Sequence, residues 1–327
     1  MYLTVTIDTE EDNWGEYDRA SYSVENVGRI PRLQQVFAER GVRPTYLISH
    51  PVATSRLGIE VLGKYCDSGL CEIGAHPHPW NTPPLEEDRT GRNSYISNLP
   101  ADLQYRKIKT LHDAITRNFG VAPRSYRSGR WGFNESVARS LIRLGYIVDT
   151  SVSPTVDWRE SDGPDYSDWS IEPFVYRVAG SADGGSLLEV PATIEFVQRP
   201  RVFVNAVYQL VNRRMPRAQQ VLAGLSKLGV LNRVGLTPEI HSVPQMIRLA
   251  AALLRRGTKV INMFFHSPSL LENCSPYVKT AGDVTSFIAR IDTFLAFAQS
   301  AGIRFVTMSE LGAVDIGASR VRVLSAT

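Results

Sequence analysis

The stretch of this chain richest in potential chemistry is EIGAHPHPWN, residues 72–81, where His76 and His78 are each followed by a proline. Neutral imidazole is the commonest side-chain metal ligand. A residue before proline is pushed out of the helical region, so Pro77 and Pro79 hold both histidines in extended or polyproline-like backbone. If the local form is β, alternation sends both imidazoles to one face and the prolines to the other. The plainer reading is a proline-rich surface loop that happens to carry histidines. Other polar residues stand at comparable places: Asp8-Thr9-Glu10 after YLTVTI, Arg127 after PRSY, Asp149 after YIV, and His266 after VINMFF. One carboxylate with two imidazoles is a donor set suited to Zn²⁺ or a similar divalent ion with an open water position. Such an ion lowers the pKa of water to about 7 and polarises a carbonyl.

The elements that must position these groups alternate between two periods. Residues 2–8, 44–49, 71–75, 123–127, 146–150, 187–196, 259–266 and 304–307 read as strands, the seventh a near-continuous apolar run of the kind buried in parallel sheets. Helical spacing occupies residues 29–40, 56–68, 101–119, 135–144 and 283–300, with a closing helical turn at 309–313. Seven or eight such repeats predict a distorted (β/α)7–8 barrel spanning residues 1–313, in which polar residues past the carboxyl ends of the strands meet at one mouth. Two stretches interrupt the pattern. Residues 155–186 read as a long irregular loop near that mouth. Residues 200–242 read as a helical insertion, with Arg199, Arg201, Arg213, Arg214, Arg217, Lys227 and Arg233 interleaved among apolar residues in and beside it. The expectation there is a solvated helix face covering the barrel; the alternative is a peripheral membrane or lipid-linked substrate contact through 199–233. Residues 314–327 are expected to form a tail outside the domain.

Composition bounds the remaining choices. The chain has 327 residues, 43% hydrophobic and 21% charged, with a net charge of +3, which is ordinary for a soluble globular protein and makes no case for nucleic acid. Three cysteines (Cys66, Cys71 and Cys274) with no CxxC pair argue against a disulfide framework. The opening MYLTVTIDTEEDNW has neither a basic n-region nor an apolar h-region, and no apolar run approaches the ~20 residues that span a bilayer. The expectation is a reduced, cytoplasmic protein.

The ordered set TIDTEED, GAHPHPW, YRSGRWG, DTSVSP and FFHSP, spread over residues 4–268, resembles the five motifs of the polysaccharide deacetylases, the NodB-like carbohydrate esterases of family 4. It comes closest to the branch found in lipopolysaccharide and O-antigen biosynthesis. The resemblance implies a distorted α/β barrel that removes an N-acetyl group from an amino sugar with a divalent ion, Zn²⁺ first among them. Asp8 matches the family's general base. Thr9 stands where a metal-binding aspartate is usual, so the metal carboxylate falls to Glu10, two positions on and on the strand face of Asp8; Glu11 and Asp12 are the reserves. His76 matches the first metal histidine. The second is usually four residues on, where this chain has Trp80, so His78 substitutes. Arg127 matches the arginine that orients the base, the backbone N–H of Arg130 the donor to the oxyanion, Asp149 the aspartate of the fourth motif, and His266 the general acid.

Each residue also has a structural reading. Asp8 and Glu10 could be salt-bridging carboxylates, Arg127 and Asp149 an ion pair, and His266 a core histidine. His50, His112 and His241 have no partner in the motif set and read as structural. Trp14, Trp80 and Trp131 could stack on sugar or pack the mouth. The competing functions are an amidase of the same superfamily acting on a carbon–nitrogen bond that is not an N-acetyl group, and a catalytically inactive carbohydrate-binding barrel.

Overall fold

The structure, a computed structural model, describes residues 1–12, 15, 21–179, 185–214, 218–227, 230–314, 316–318 and 320–324. Among the described residues the strands are β1 Tyr2–Thr9, β2 Thr45–Ile48, β3 Glu72–Ala75, β4 Ser125–Tyr126, β5 Val148–Asp149, β6 Phe174–Val178, β7 Ser186–Glu189, β8 Ile194–Phe196, β9 Arg233–Gly235, β10 Val260–His266, β11 Arg304–Phe305 and β12 Arg320–Leu324. The main sheet runs β10-β1-β2-β3-β4-β5-β7-β6-β12, with β11 against β1. From β10 to β7 every pairing is parallel. Beyond β7 the chain bends inward, and Thr193 exchanges bonds with β10: its N–H donates to the Asn262 carbonyl (3.4 Å), while the Asn262 N–H donates to Thr193 Oγ1 (2.8 Å). Seven parallel strands closed by so thin a seam make the distorted α/β barrel that the strand–helix alternation predicts.

β1 and β10 set the frame. Seven of the eight β1 residues and six of the seven β10 residues are buried, as expected of central parallel strands covered on both faces. Their register aligns Tyr2 with Val260 at one end and Asp8 with His266 at the other. The outer helices are bounded by their own chemistry. The Asn134 side chain accepts from the Val137 N–H at the start of Glu135–Arg143. Thr280 and Asp283 form a capping box on Ala281–Ser300, and Gly120 (φ 70°) ends Ala101–Phe119 in the left-handed region. Leu111, Ile115, Phe287, Ile291 and Phe294 bring these helices into the shared core.

Four readings are corrected. Residues 187–196 form two strands rather than one: Pro191 has no N–H to offer a ladder, so the chain leaves β7 there and begins β8. The span 155–186 is not loop throughout, because β6 pairs antiparallel with β7, with Phe174 and Tyr176 inward. The span 200–242 holds the helices Arg201–Arg214 and Ala218–Lys227 but ends in β9, antiparallel to β8 in a separate sheet. The expected tail carries β12, which pairs parallel with β6 and buries Leu324 in the main core. A further helix, Val243–Arg255, starts at a Ser242–Gln245 capping box.

Candidate active site and metal centre

The carboxyl ends of β1, β3 and β10 open into one cavity of about 810 Å³, whose floor holds Asp8, Glu10, His76, His78, Arg127 and His266. Glu10, His76 and His78 each place one donor atom within 4.8 Å of the other two. Glu10 Oε2 lies 2.7 Å from His78 Nε2 and 3.8 Å from His76 Nε2, and the two Nε2 atoms are 3.0 Å apart. Three ligands at about 2.1 Å from a tetrahedral ion stand about 3.4 Å from one another, so the spacing is that of a coordination face. The His76 N–H pairs with the Ile48 carbonyl, extending the ladder past β3. Its Nδ1 meets the Arg127 carbonyl at 3.0 Å, which assigns the proton to Nδ1 and leaves the Nε2 lone pair facing the site.

Two observations test the fit to a cation. Glu10 Oε1 is buried with no hydrogen-bond partner among the described residues. Burial drives the Glu10 carboxyl well above its usual range, the Glu11, Asp8 and Glu239 charges adding to the rise and His266 opposing it. Burial also pushes His76 down to about 3 and His78 to about 4, so both are neutral donors at neutral pH. A buried carboxylate crowded by like charges, facing two neutral imidazoles, fits one divalent ion. Gly129 makes the geometry possible: a Cβ there would stand 2.7 Å from His78 Nδ1 and 2.8 Å from the Pro77 carbonyl oxygen.

Asp8 and His266 complete the floor. Arg127 donates through NH1 to Asp8 Oδ1 (2.6 Å), through NH2 to Thr6 Oγ1 (2.8 Å) and through Nε to the Thr150 carbonyl (3.1 Å). Burial alone would raise Asp8, but Arg127, His76 and His266 outweigh it and hold its carboxyl below the usual range. His266 Nε2 lies 3.7 Å from Asp8 Oδ2, and its Nδ1 is 2.9 Å from Glu239 Oε2. Glu239 also accepts from the His266 backbone N–H and from Ser269 Oγ. Burial disfavours the imidazolium, yet the Glu239 charge and hydrogen bond, with Glu10 and Asp8 behind them, push His266 up to about 9.

The remaining candidates separate. Asp149 is not in the cavity lining; it is fully buried and accepts from Ser151 Oγ (2.6 Å), which itself accepts from the Ser128 N–H. It shares a hydrogen bond with Glu189, whose carboxyl is driven well above its usual range by burial and then by the Asp149 charge. Asp149 is therefore tied to the 128–131 turn through Ser151. Arg130 lines the cavity, and both it and Trp131 take left-handed backbone (φ 54° and 62°), a conformation that non-glycine residues keep where a site requires it. Glu11 accepts from Trp80 Nε1 and Asn81 Nδ2, and Asp12 from Ser23 and the Glu25 and Asn26 N–H groups, so neither reserve carboxylate points at the histidines. Thr9 Oγ1 turns back to the Ile7 carbonyl. Trp80 is buried beside His78, Trp131 packs edge-on to Phe264, and Trp14 lies outside the described residues.

Glu239 and His241, one missed and the other assigned to structure, both line the cavity, with Tyr95, Trp158 and Tyr277. The one available signal for Glu239 was its being the first acidic residue after Glu195.

No family model matches the sequence, and no curated protein matches it. Solved structures do. A candidate polysaccharide deacetylase from Mycobacterium smegmatis matches with a TM-score of 0.53 and 17% identity, covering 99% of this chain and 93% of that one. A candidate glycoside hydrolase/deacetylase from Parabacteroides distasonis matches at 0.61 and 12%, covering 95% and 70%. The 4-alpha-glucanotransferase of Thermococcus litoralis matches at 0.57 and 13%, covering 99% and 42%. At such identities the likeness is one of architecture. The chain has the mostly parallel α/β barrel fold of the NodB-like polysaccharide deacetylases.

Proposed function

We propose that this protein is a metal-dependent hydrolase that removes the N-acetyl group from an amino sugar. One observation carries the reading: a three-donor coordination face and a base–acid pair 3.7 Å apart share one cavity floor. In amide hydrolysis the attacking oxygen and the leaving nitrogen are bonded to the same carbon, so a base and an acid this close address both at once. Glu10, His76 and His78 would hold the ion, most suitably Zn²⁺, which supplies Lewis acidity that neutral water lacks. Asp8, kept ionised by Arg127, takes the proton of the attacking water. His266, kept protonated by Glu239, gives a proton to the departing amine. The Arg130 N–H is assigned to the carbonyl oxygen as negative charge develops there.

Trp158 and Tyr277, half-buried aromatic residues of the cavity lining, are of the side-chain type that packs on sugar rings. An acetylated polysaccharide, O-antigen or sugar intermediate is the substrate class that suits them, and a lipid-linked form is the one for which the basic segment 199–233 has a use. The barrel, with β12 joined to its sheet, acts as the catalytic domain in this reading. Three unpaired cysteines suit a reducing cytoplasm. The test is acetate release from a panel of N-acetylated oligosaccharides, sugar nucleotides and lipid-linked sugars, with metal analysis of the same preparation. Release of a different acyl group would move the assignment to the sister amidases, and no turnover with tight sugar binding would leave a carbohydrate-binding barrel.

A further inference from the structure

The helix Arg201–Arg214 is apolar on the side it buries and on the side it shows. Inward, Val204, Tyr208 and Val211 join Phe196, Leu222 and Leu231 in a cluster separate from the main core. Outward, Val202 is 78% exposed, Phe203 66% and Leu210 54%, with Ala206 exposed between them. Positions 203, 206 and 210 fall on one stripe of a helix. Val230, 58% exposed, shows a further apolar side chain just before β9. A solvated covering helix would place polar residues here, so the expectation formed for this segment does not describe its outer face.

Charge distinguishes this patch from an ordinary exposed one. Between Phe196 and Pro238 the sequence has seven basic residues and no Asp or Glu. Arg201 is engaged with Glu195, and Arg233 stacks on Tyr208 within the cavity wall. Arg199 is exposed. Arg217 and the side chains of Arg213, Arg214 and Lys227 lie outside the described residues and enter by sequence alone. The helix also adjoins the active-site wall: Gln209 and Arg233 both donate to the Thr155 carbonyl.

We propose that the helix Arg201–Arg214 docks the protein on an anionic lipid bilayer, with Val202, Phe203, Ala206 and Leu210 entering the headgroup–acyl boundary, and the exposed Arg199 and the other basic residues of its sequence neighbourhood meeting lipid phosphates. Apolar and basic residues on one acid-free element are what interfacial binding requires, and neither alone suffices. No described helix is long and apolar enough to cross a membrane, so the contact is peripheral. Docking through the exposed stripe would leave the buried side of the helix, where Gln209 donates to the Thr155 carbonyl, turned toward the barrel.

The experiment needs no substrate, so its outcome is independent of the hydrolase assignment. Sedimentation with vesicles of equal parts phosphatidylglycerol and phosphatidylcholine, against phosphatidylcholine alone, is compared for wild type, a Phe203→Glu/Leu210→Glu double variant, and Val121→Glu as a control at an exposed site elsewhere. Wild type and control should bind the anionic vesicles at least about tenfold more tightly than neutral ones, and the double variant should lose that binding while keeping its circular dichroism and metal content. Three results would each overturn the proposal: no association of wild type with anionic vesicles, undiminished association of the double variant, or a wild-type self-association that the double variant abolishes, which would assign the face to a second copy of this chain.

Discussion

Glu239 holds His266 twice, its Oε2 2.9 Å from the imidazole Nδ1 and its Oε1 3.1 Å from the backbone N–H. The carboxylate thereby fixes both the position of the ring and its charge. His266 is the sole imidazole of the floor held protonated at neutral pH, because His76 and His78 are pushed the other way by burial.

A raised His266 pKa means that the acid is present below about pH 9 and lost as the pH rises through it. The alkaline limb of kcat/KM should fall there. In Glu239→Gln that limb should move down toward the ordinary histidine value near 6.5, with activity at pH 8 reduced far more than activity at pH 6. A pH–rate profile of the two proteins checks this; an unmoved alkaline limb removes Glu239 from the role.

His78→Ala and Glu10→Gln should each weaken Zn²⁺ binding by at least about 100-fold, measured by competition with a chromogenic chelator. Metal held as tightly by either variant as by wild type would show that the coordination face lies elsewhere.

Gly129→Ala tests the same centre from behind. The new methyl group would collide with His78 Nδ1 and the Pro77 carbonyl, a contact no rotamer of alanine relieves. Metal affinity should drop roughly tenfold or more, with a lowered melting temperature. Normal affinity and stability together would mean that the 128–131 turn yields easily.

Asp8→Asn and Asp149→Asn should separate chemistry from support. The first should cost ~10²–10⁴ in turnover with metal still bound. The second should lower thermal stability, since an amide has one acceptor oxygen for the Ser151 Oγ and the Ser151 N–H that now use both carboxylate oxygens, and should cost less turnover in the fraction that stays folded. Equal kinetic losses would return Asp149 to the reacting centre.

The metal-free protein should also be acid-sensitive. With folded pKa values of about 3 for His76 and about 4 for His78, the unfolded chain takes up protons below about 6.5 that the folded chain refuses. Stability should therefore decline as the pH falls from about 6.5 toward 4. Zn²⁺ should deepen the pH dependence, since it competes with the same protons. Urea midpoints across this range, with and without metal, provide the measurement.

Much of the site was legible because each residue either follows a strong strand, as Asp8, Glu10 and His266 do, or is locked by proline, as His76 and His78 are. Strand ends say where a side chain is delivered but not which way a two-residue strand such as β5 turns it, so Asp149 could be located and its direction could not. Glu239 follows a three-residue strand on an irregular turn, with no periodicity to announce it. In the fold, the long buried strands and the capped helices read cleanly. β12 did not: Val321 and Val323 are exposed at the sheet edge and only Leu324 reaches the core, so its alternation carries little hydrophobic contrast.

The β1–β10 register pairs Asp8 with His266 residue for residue across neighbouring parallel strands. Base and acid thus inherit their separation from backbone hydrogen bonds, and a one-residue insertion or deletion in either strand would turn one of them to the opposite face. The walls that meet the substrate are built differently, from the segments around Tyr95, Trp158 and Arg233–His241 that lie outside the parallel ladder. Two parts of the cavity thus answer to different constraints: the floor to the ladder of the sheet, and the walls to segments whose changes leave that ladder intact.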